Sequence, residues 1–420
     1  MKVLVLGAGV IGVTTAYQLA RDGHEVIVVE REAGPASQAE GLHAGLVCPS
    51  YIAPWAAPGM RARAVHWPAQ RESAFKPGRP VDVSVIRWIM MWAGQCKPDR
   101  YIANRYRMHR LARYSLHQLQ ALRRALGIQY ESSSEGVLQI VRTDDEVRDL
   151  ARLFPLLDEL GIPYTALDRA GCLAVDPALE YATSPFLGGL YLPMDETGDC
   201  LQFTHALARH AEALGVQFRY GCTAGKAIVE RDALLGIETD KEYISADRTI
   251  LALGAGSVQW LHDNAYVVPV QRVKTYALSA PVNDLHRAPR TGIVDEHNKL
   301  WITRAGMTLH AAGMAELDVR NTNARAERGR LLADTVDRLF PGAADLTRAS
   351  VSTLMQAATP DGPPVLGAGH WANLYFNLGH GFHAWTMACG AAKILADLIA
   401  GRQPEIDLDG LTYDRYHTLR

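Results

Sequence analysis

Three glycines and one acid carry the first chemical signal in this chain. Gly7-Ala8-Gly9-Val10-Ile11-Gly12 has the G-x-G-x-x-G spacing, and Glu30 stands eighteen residues beyond Gly12. Gly7 permits a tight turn, Gly9 lets the backbone approach a pyrophosphate, and Gly12 lets a helix pack closely against a sheet. The helix that follows aims unsatisfied N–H groups and a partial positive charge at the phosphates. Glu30 can accept hydrogen bonds from a ribose hydroxyl, and Val10, Ile11 and Arg31 belong to the same expected site. The motif alone does not separate FAD from NAD.

Two further constellations tilt the choice. Leu251-Ala252-Leu253-Gly254-Ala255-Gly256-Ser257 is an apolar strand ending in small residues, which leave room for a flavin above them. Gly379-His380-Gly381 opens a long helix from Trp385, and a helix N-terminus near Thr386 can stabilise negative charge on a reduced flavin. His380 and His383 lie three apart, but no third ligand is identifiable, so no metal is expected. Asp195, Glu196 and Asp199 have the types needed for acid–base work, yet a capped turn before the helix at Leu201 is the preferred reading. Tyr51, Tyr191 and Tyr276 are candidates for hydrogen bonds to a substrate, or else core tyrosines, with Tyr276 favoured for its strand context Val273-Lys274-Thr275-Tyr276.

The elements that must position these residues follow from apolar spacing. Val3 to Leu6 is wholly apolar, as a parallel strand buried on both faces should be. A helix over Val13 to Arg21 and a strand over Glu25 to Val29 complete a βαβ unit. Asn104 to Leu126 reads as an amphipathic helix, with Met108, Leu111, Leu119, Leu122 and Leu126 on one stripe. Asp144 to Leu160 is mostly helical, with a break at Pro155. Four prolines between 49 and 68 argue against regular structure there. Strand-like runs dominate residues 262 to 320, and Trp385 to Ala400 is a helix stopped by Gly401. The fold class expected is therefore α/β: a Rossmann-like domain of residues 1–51, 200–258 and 344–420, interrupted by a substrate domain of mixed β-sheet and helices over 52–199 and 259–343.

Composition bounds the function. The 420 residues exceed one small core, and a formal net charge of −2 gives no reason to expect nucleic acid as a partner. Six scattered cysteines without a CxxC pair fit free thiols in a reducing compartment. With the first strand beginning at residue 2 or 3 and no apolar run long enough to cross a bilayer, a cytoplasmic protein is expected.

At this point a family resemblance is plain. The chain resembles the flavin-dependent D-amino-acid dehydrogenase small subunit, within the glycine oxidase and D-amino-acid oxidase group. The resemblance rests on Gly7 to Glu30, Tyr51-Ile-Ala-Pro-Trp-Ala-Ala-Pro-Gly59, Asp195-Glu-Thr-Gly-Asp-Cys200, Ala312-Gly-Met-Ala-Glu316, Thr359-Pro-Asp-Gly362, Gly379-His-Gly381 and Trp385-Thr-Met-Ala-Cys-Gly390. It implies a two-domain flavoprotein whose substrate lies over the flavin under a sheet of the inserted domain. It also implies transfer of a hydride from the carbon bearing an amine to flavin N5, with hydrolysis of the resulting imine. Electrons would pass to a quinone or to oxygen, and the quinone route implies peripheral contact with the inner face of the membrane.

The departures from that pattern bear on specificity. The family places a carboxylate-clamping arginine three residues before Thr-Pro-Asp-Gly, whereas this chain has Gln356. A neutral amide cannot form the charged fork, and a charge-assisted contact contributes about 1.5–3 kcal/mol. Either another arginine, with Arg304 the candidate, takes over, or the substrate has no free carboxylate there. His43 in Gly41-Leu42-His43-Ala44-Gly45 replaces a common Asn beside the flavin; a contact to the ring, a covalent link to it and a plain loop histidine all remain open. Phe382-His383 places bulk where the family has small or polar residues. The sequence thus points to FAD-dependent oxidation of a carbon–nitrogen bond, with a D-amino acid as default substrate and an amine lacking the carboxylate as the alternative. A catalytically silent flavin-binding subunit that relays electrons is the rival from another class.

Overall fold

Val3, Leu4, Val5 and Leu6 have no exposed surface, and their alternation divides the molecule. Val3 and Val5 join a core with the helices Val10–Arg21, Pro98–Leu126, Cys200–Ala213 and Ala384–Ile399. Leu4 and Leu6 face the other way, into a cluster with Trp260 and a small antiparallel sheet that contributes Ala227, Leu234, Ile237 and Ile244. Each such buried side chain stabilises the fold by about 1.5–3 kcal/mol. A strand apolar on both faces is therefore the centre of a helix–sheet–sheet sandwich.

The computed structural model describes residues 1–42, 44–66, 75–77, 83–317 and 322–419. Its central sheet has the strand order Gln217–Arg219, Glu25–Val29, Lys2–Leu6, Arg248–Leu251, Leu374–Leu378, Val365–Ala368. The first five strands run parallel and the last is antiparallel. We call Lys2–Leu6 β1, Val10–Arg21 α1 and Glu25–Val29 β2. The expected βαβ unit is thus present, and Val3 pairs with both Val26 and Arg248.

A second, mixed sheet forms the roof. Among the described residues its path runs Ser350–Ala358, Gln271–Pro281, Thr308–Leu317, Leu300–Ala305, Gly292–Asp295, Val137–Val141, Gly188–Leu192, Thr165–Asp168. The helix Ala326–Leu339 covers one face through Leu332, Val336 and Leu339. Ser350–Ala358 lies beyond the boundary at 344 expected from sequence, yet it pairs with Gln271–Pro281, Val273 opposite Gln356. Two local expectations also change. Met60–His66 is a helix, because Pro49, Pro54 and Pro58 all precede its first turn and interrupt nothing. The break in 144–160 falls between Ala151 and Phe154, because Pro155 takes the opening turn of the second helix, where it is tolerated.

The acids at 195–199 are structural. Asp199 caps Cys200–Ala213 by accepting from Gln202 N–H at 2.9 Å, and Asp195 accepts from Ser50 and Tyr51 N–H at 2.8 and 3.2 Å. Glu196 pairs with Arg123 at 3.1 Å. In Thr359-Pro-Asp-Gly362, Asp361 accepts from Arg415 at 2.8 Å, which ties the C-terminal turn to the strand end.

Candidate active site

The turn between β1 and α1 has no room for side chains. A Cβ on Gly12 would stand 1.9 Å from the Gly7 carbonyl oxygen, and one on Gly7, whose φ is +105°, would stand 2.5 Å from that of Ala252. Gly12 therefore does its work beneath the helix, as the spacing implied, while Gly7, Gly9, Val10 and Ile11 line a cleft of about 620 Å³. Glu30 reaches the same cleft from the end of β2, its carboxylate accepting from Ala8 N–H at 2.8 Å and Glu32 N–H at 2.9 Å.

Arg31, Gly254, Gly379, His380 and Gly381 line the cleft as well. Gly254, Gly379 and Gly381 all have left-handed backbone, with φ of +53°, +82° and +56°. Burial holds the His380 ring neutral, its pKa lowered to about 3. Arg272, which the sequence reading missed, enters from the roof strand and donates to Ala255 O at 3.1 Å. Burial and the nearby Arg31 charge both lower its pKa. A cradle that excludes Cβ atoms, facing two mutually repelling arginines, fits a dinucleotide with its diphosphate; Glu40, whose carboxylate reaches Val10 N–H, opposes it.

A small void of about 30 Å³ adjoins the cleft beneath the roof sheet, lined by Thr275, Trp301, Leu354, Gln356, Phe382 and His383 among others. Gln356 lines both spaces and marks their junction. Among the described residues, its Oε1 and the Thr275 hydroxyl are buried without a hydrogen-bond partner. Phe382 is stacked between Trp55, at 4.3 Å between ring centroids, and Trp301, at 5.8 Å. Ala44 lines the same chamber. Gly45, with φ +71° and Gly198 O only 2.8 Å from a would-be Cβ, shapes the approach of the chain to it.

Several expected site residues fall elsewhere. Tyr276 is fully buried on the opposite face of its strand, in the cluster under Ala326–Leu339, and its neighbour Thr275 faces the chamber instead. The period-2 alternation of a strand makes that swap unavoidable once one residue faces the cavity. Arg304 donates to Pro289 O at 3.2 Å and Gly306 O at 3.0 Å, and it lines neither space. Tyr51 bonds Glu296, and Tyr191 donates to Glu135 O at 3.0 Å. The Thr386 hydroxyl accepts from Cys48 N–H at 3.2 Å and donates to Leu46 O at 3.3 Å, so it holds a neighbouring strand rather than facing the cleft. His43 lies outside the described residues. No grouping of metal-ligand side chains occurs among the described residues, and none of their helices is long and apolar enough to cross a membrane.

Comparison with known proteins agrees with this architecture. The D-amino acid dehydrogenase of Rhizorhabdus wittichii is 42% identical over 418 residues, covering 99% of this chain and 100% of that one. The D-amino acid dehydrogenase of Bradyrhizobium diazoefficiens is 40% identical over 416 residues, 99% of each chain. Glycine oxidase from Geobacillus kaustophilus superposes with a TM-score of 0.74 at 18% identity, covering 98% of this chain and 97% of that one. L-proline dehydrogenase from P. horikoshii gives 0.74 at 16%, covering 100% and 98%. A family profile described as FAD dependent oxidoreductase matches residues 2–398, and the chain belongs to that family.

Proposed function

We propose that this protein oxidises a carbon–nitrogen bond of a small amino acid or amine, with FAD as the hydride acceptor and a D-amino acid as the default substrate. Full-length identity of about two in five with proteins named D-amino acid dehydrogenase supports the reaction class. The observation that carries the reading is the placement of Gln356, shared between a dinucleotide cleft and a small roofed chamber. FAD, when bound, supplies the two-electron chemistry, and the chain supplies orientation. Gly7 and Gly9, with Gly12 beneath the helix, would seat the diphosphate, and Glu30 would hold the ribose. Leu46, Ala312 and Leu354 make the chamber wall apolar, which keeps water from the reacting carbon. Positioning of a neutral amine is the main contribution, and no acid–base side chain is obligatory.

The chamber favours a second reading of the substrate. No Lys or Arg lines it among the described residues, and Gln356 is its amide-bearing wall. A carboxylate can accept from Gln356 Nε2 but cannot donate to Oε1, so a buried acceptor stays unpaired at a cost of about 1–3 kcal/mol. An amine or carboxamide brings an N–H donor to that acceptor. The test is an anaerobic titration of purified protein, following flavin bleaching with D-amino acids, their carboxamides and simple amines. Bleaching by any of them supports amine oxidation; bound, chemically reducible FAD that none of them bleaches would sink it in favour of an electron-relay subunit. Faster bleaching by carboxamides or amines than by the matching acids supports the substrate without a carboxylate.

A further inference from the structure

The dinucleotide turn of this chain already holds a carboxyl group of its own. Glu40 opens the 3₁₀ turn Glu40–Leu42, and its Oε1 accepts from the N–H of Val10, the first residue of α1, at 2.8 Å. A Cβ placed on Gly9 would lie 2.6 Å from that same oxygen. The carboxylate is therefore packed into the glycine cradle, against the N–H group that a turn of this type offers to a pyrophosphate. Glu30 holds the N–H of Ala8 in the same manner from β2.

We propose that Glu40 is a cofactor-site residue that takes the pyrophosphate's place in the free protein, and that FAD binds as Glu40 takes up a proton and yields Val10 N–H. The proposal rests on the reading of the cleft as an FAD site. An ionised Glu40 beside a diphosphate would put like charges in a half-buried cleft, where water screens them poorly. As a neutral acid the same side chain turns from competitor to donor, its O–H directed to a phosphate oxygen.

The surroundings favour that proton. Desolvation, the largest effect, outweighs the opposing Val10 N–H bond and, with a smaller push from the Glu30 charge, raises the Glu40 pKa above the ordinary carboxylate range. Giving up that N–H favours the proton further. Cys200, in the first turn of the helix against which Glu40–Leu42 packs, is a thiol driven well up by burial and by Glu40, so it stays uncharged. On the roof strand beside it, Lys274 is committed to Glu316 at 3.0 Å. Arg31, which pairs with Glu32 at 3.2 Å, Lys226 and Arg272 line the cleft as cations, while His380 is neutral. Because the protonated form binds the anion, affinity for FAD is highest below the pKa of Glu40 in the free protein. It falls as pH rises through that value, by up to about tenfold per pH unit for one proton.

Equilibrium titration of the apoprotein with FAD, read by quenching of flavin fluorescence, tests this in the wild type, Glu40→Gln and Glu40→Ser. In a scan from about pH 5 to pH 10, the wild-type dissociation constant should rise at least about tenfold once pH passes above the Glu40 pKa, and both variants should be nearly flat and tighter than wild type at the upper pH. Calorimetry of the wild type in buffers of different ionisation enthalpy should find proton uptake on binding over the range where the affinity falls, which needs no variant to fold. An equal pH slope in all three proteins, or no proton uptake, overturns the role of Glu40 and leaves the FAD site standing. Failure of every protein to bind FAD at any pH overturns the FAD reading, and this proposal with it.

Discussion

The cofactor cleft and the roofed chamber share Gln356 but are built on different principles. Backbone makes the cleft: Gly7 and Gly12 fix where carbonyl oxygens and a helix may approach, and almost any added atom collides. Side chains make the chamber: Gln356, Thr275, Trp301, Phe382 and His383 come from strands and a loop far apart in sequence. The first arrangement tolerates little change and defines a family. The second can be re-cut one residue at a time.

The roof behind the chamber depends on a buried charge cluster. Glu316 lies with Lys274 at 3.0 Å and Arg328 at 3.4 Å, all nearly without exposed surface. Replacing Glu316 by Ala removes a carboxylate from between two buried cations and should cost about 3–5 kcal/mol in urea denaturation. The fraction that still folds should keep its affinity for FAD; loss of flavin from that fraction would show that roof and cleft are one unit. A smaller break on the other side is Gly12→Ala. Its Cβ would press on Gly7 O, so a destabilisation of about 1–3 kcal/mol and weaker flavin retention are expected, with no shift in substrate preference.

Gln356→Arg sharpens the contrast further. It should lower KM for free D-amino acids roughly ten- to a hundredfold, with a smaller change in kcat and no change in the flavin spectrum, since a charge-assisted contact is restored. An unchanged KM would mean that the substrate's polar end lies elsewhere. A further expectation concerns Asp195, whose carboxyl burial pushes up to about 7. A folded pKa above the unfolded value makes its stabilisation complete below about pH 4 and progressively lost as pH rises through about 7. Asp195→Asn, always neutral, should therefore gain roughly 5 °C in melting temperature relative to wild type between pH 4 and pH 8, the linkage being about 4 kcal/mol, by thermal unfolding monitored in both buffers.

Much of the cleft was legible because its determinants are local. Gly7 to Glu30 brings strand, turn, helix and acid together within one continuous stretch, and Gly379 to Gly381 marks a loop by glycine spacing alone. The capping role of Asp199 could be read for the same reason. The chamber was less legible. Phe382, His383 and Gln356 were reached only through departures from a resembling family, while Tyr276 and Arg304 were placed wrongly. Tyr276 failed on parity: a β-bulge between Lys274 and Tyr276 shifts the register with the neighbouring strand, and sequence does not show which face meets the cavity. Arg304 failed because the Pro289 and Gly306 carbonyls compete for it. Arg272 and Glu40 were missed entirely, since neither carries a spacing signal, although an acid shortly after a dinucleotide motif is a mark worth reading.

By itself, then, the sequence determined the cofactor-binding unit and the apolar strand at its centre, because glycine geometry and apolar periodicity act between near neighbours, while the class of reaction came through the family resemblance. Only the tertiary structure decided which residue of each roof strand faces the chamber, which arginines are already spent on carbonyl oxygens, and that Glu40 lies against the first N–H of α1. Those outcomes depend on how whole elements pack and on competition for hydrogen-bond partners, not on local preference.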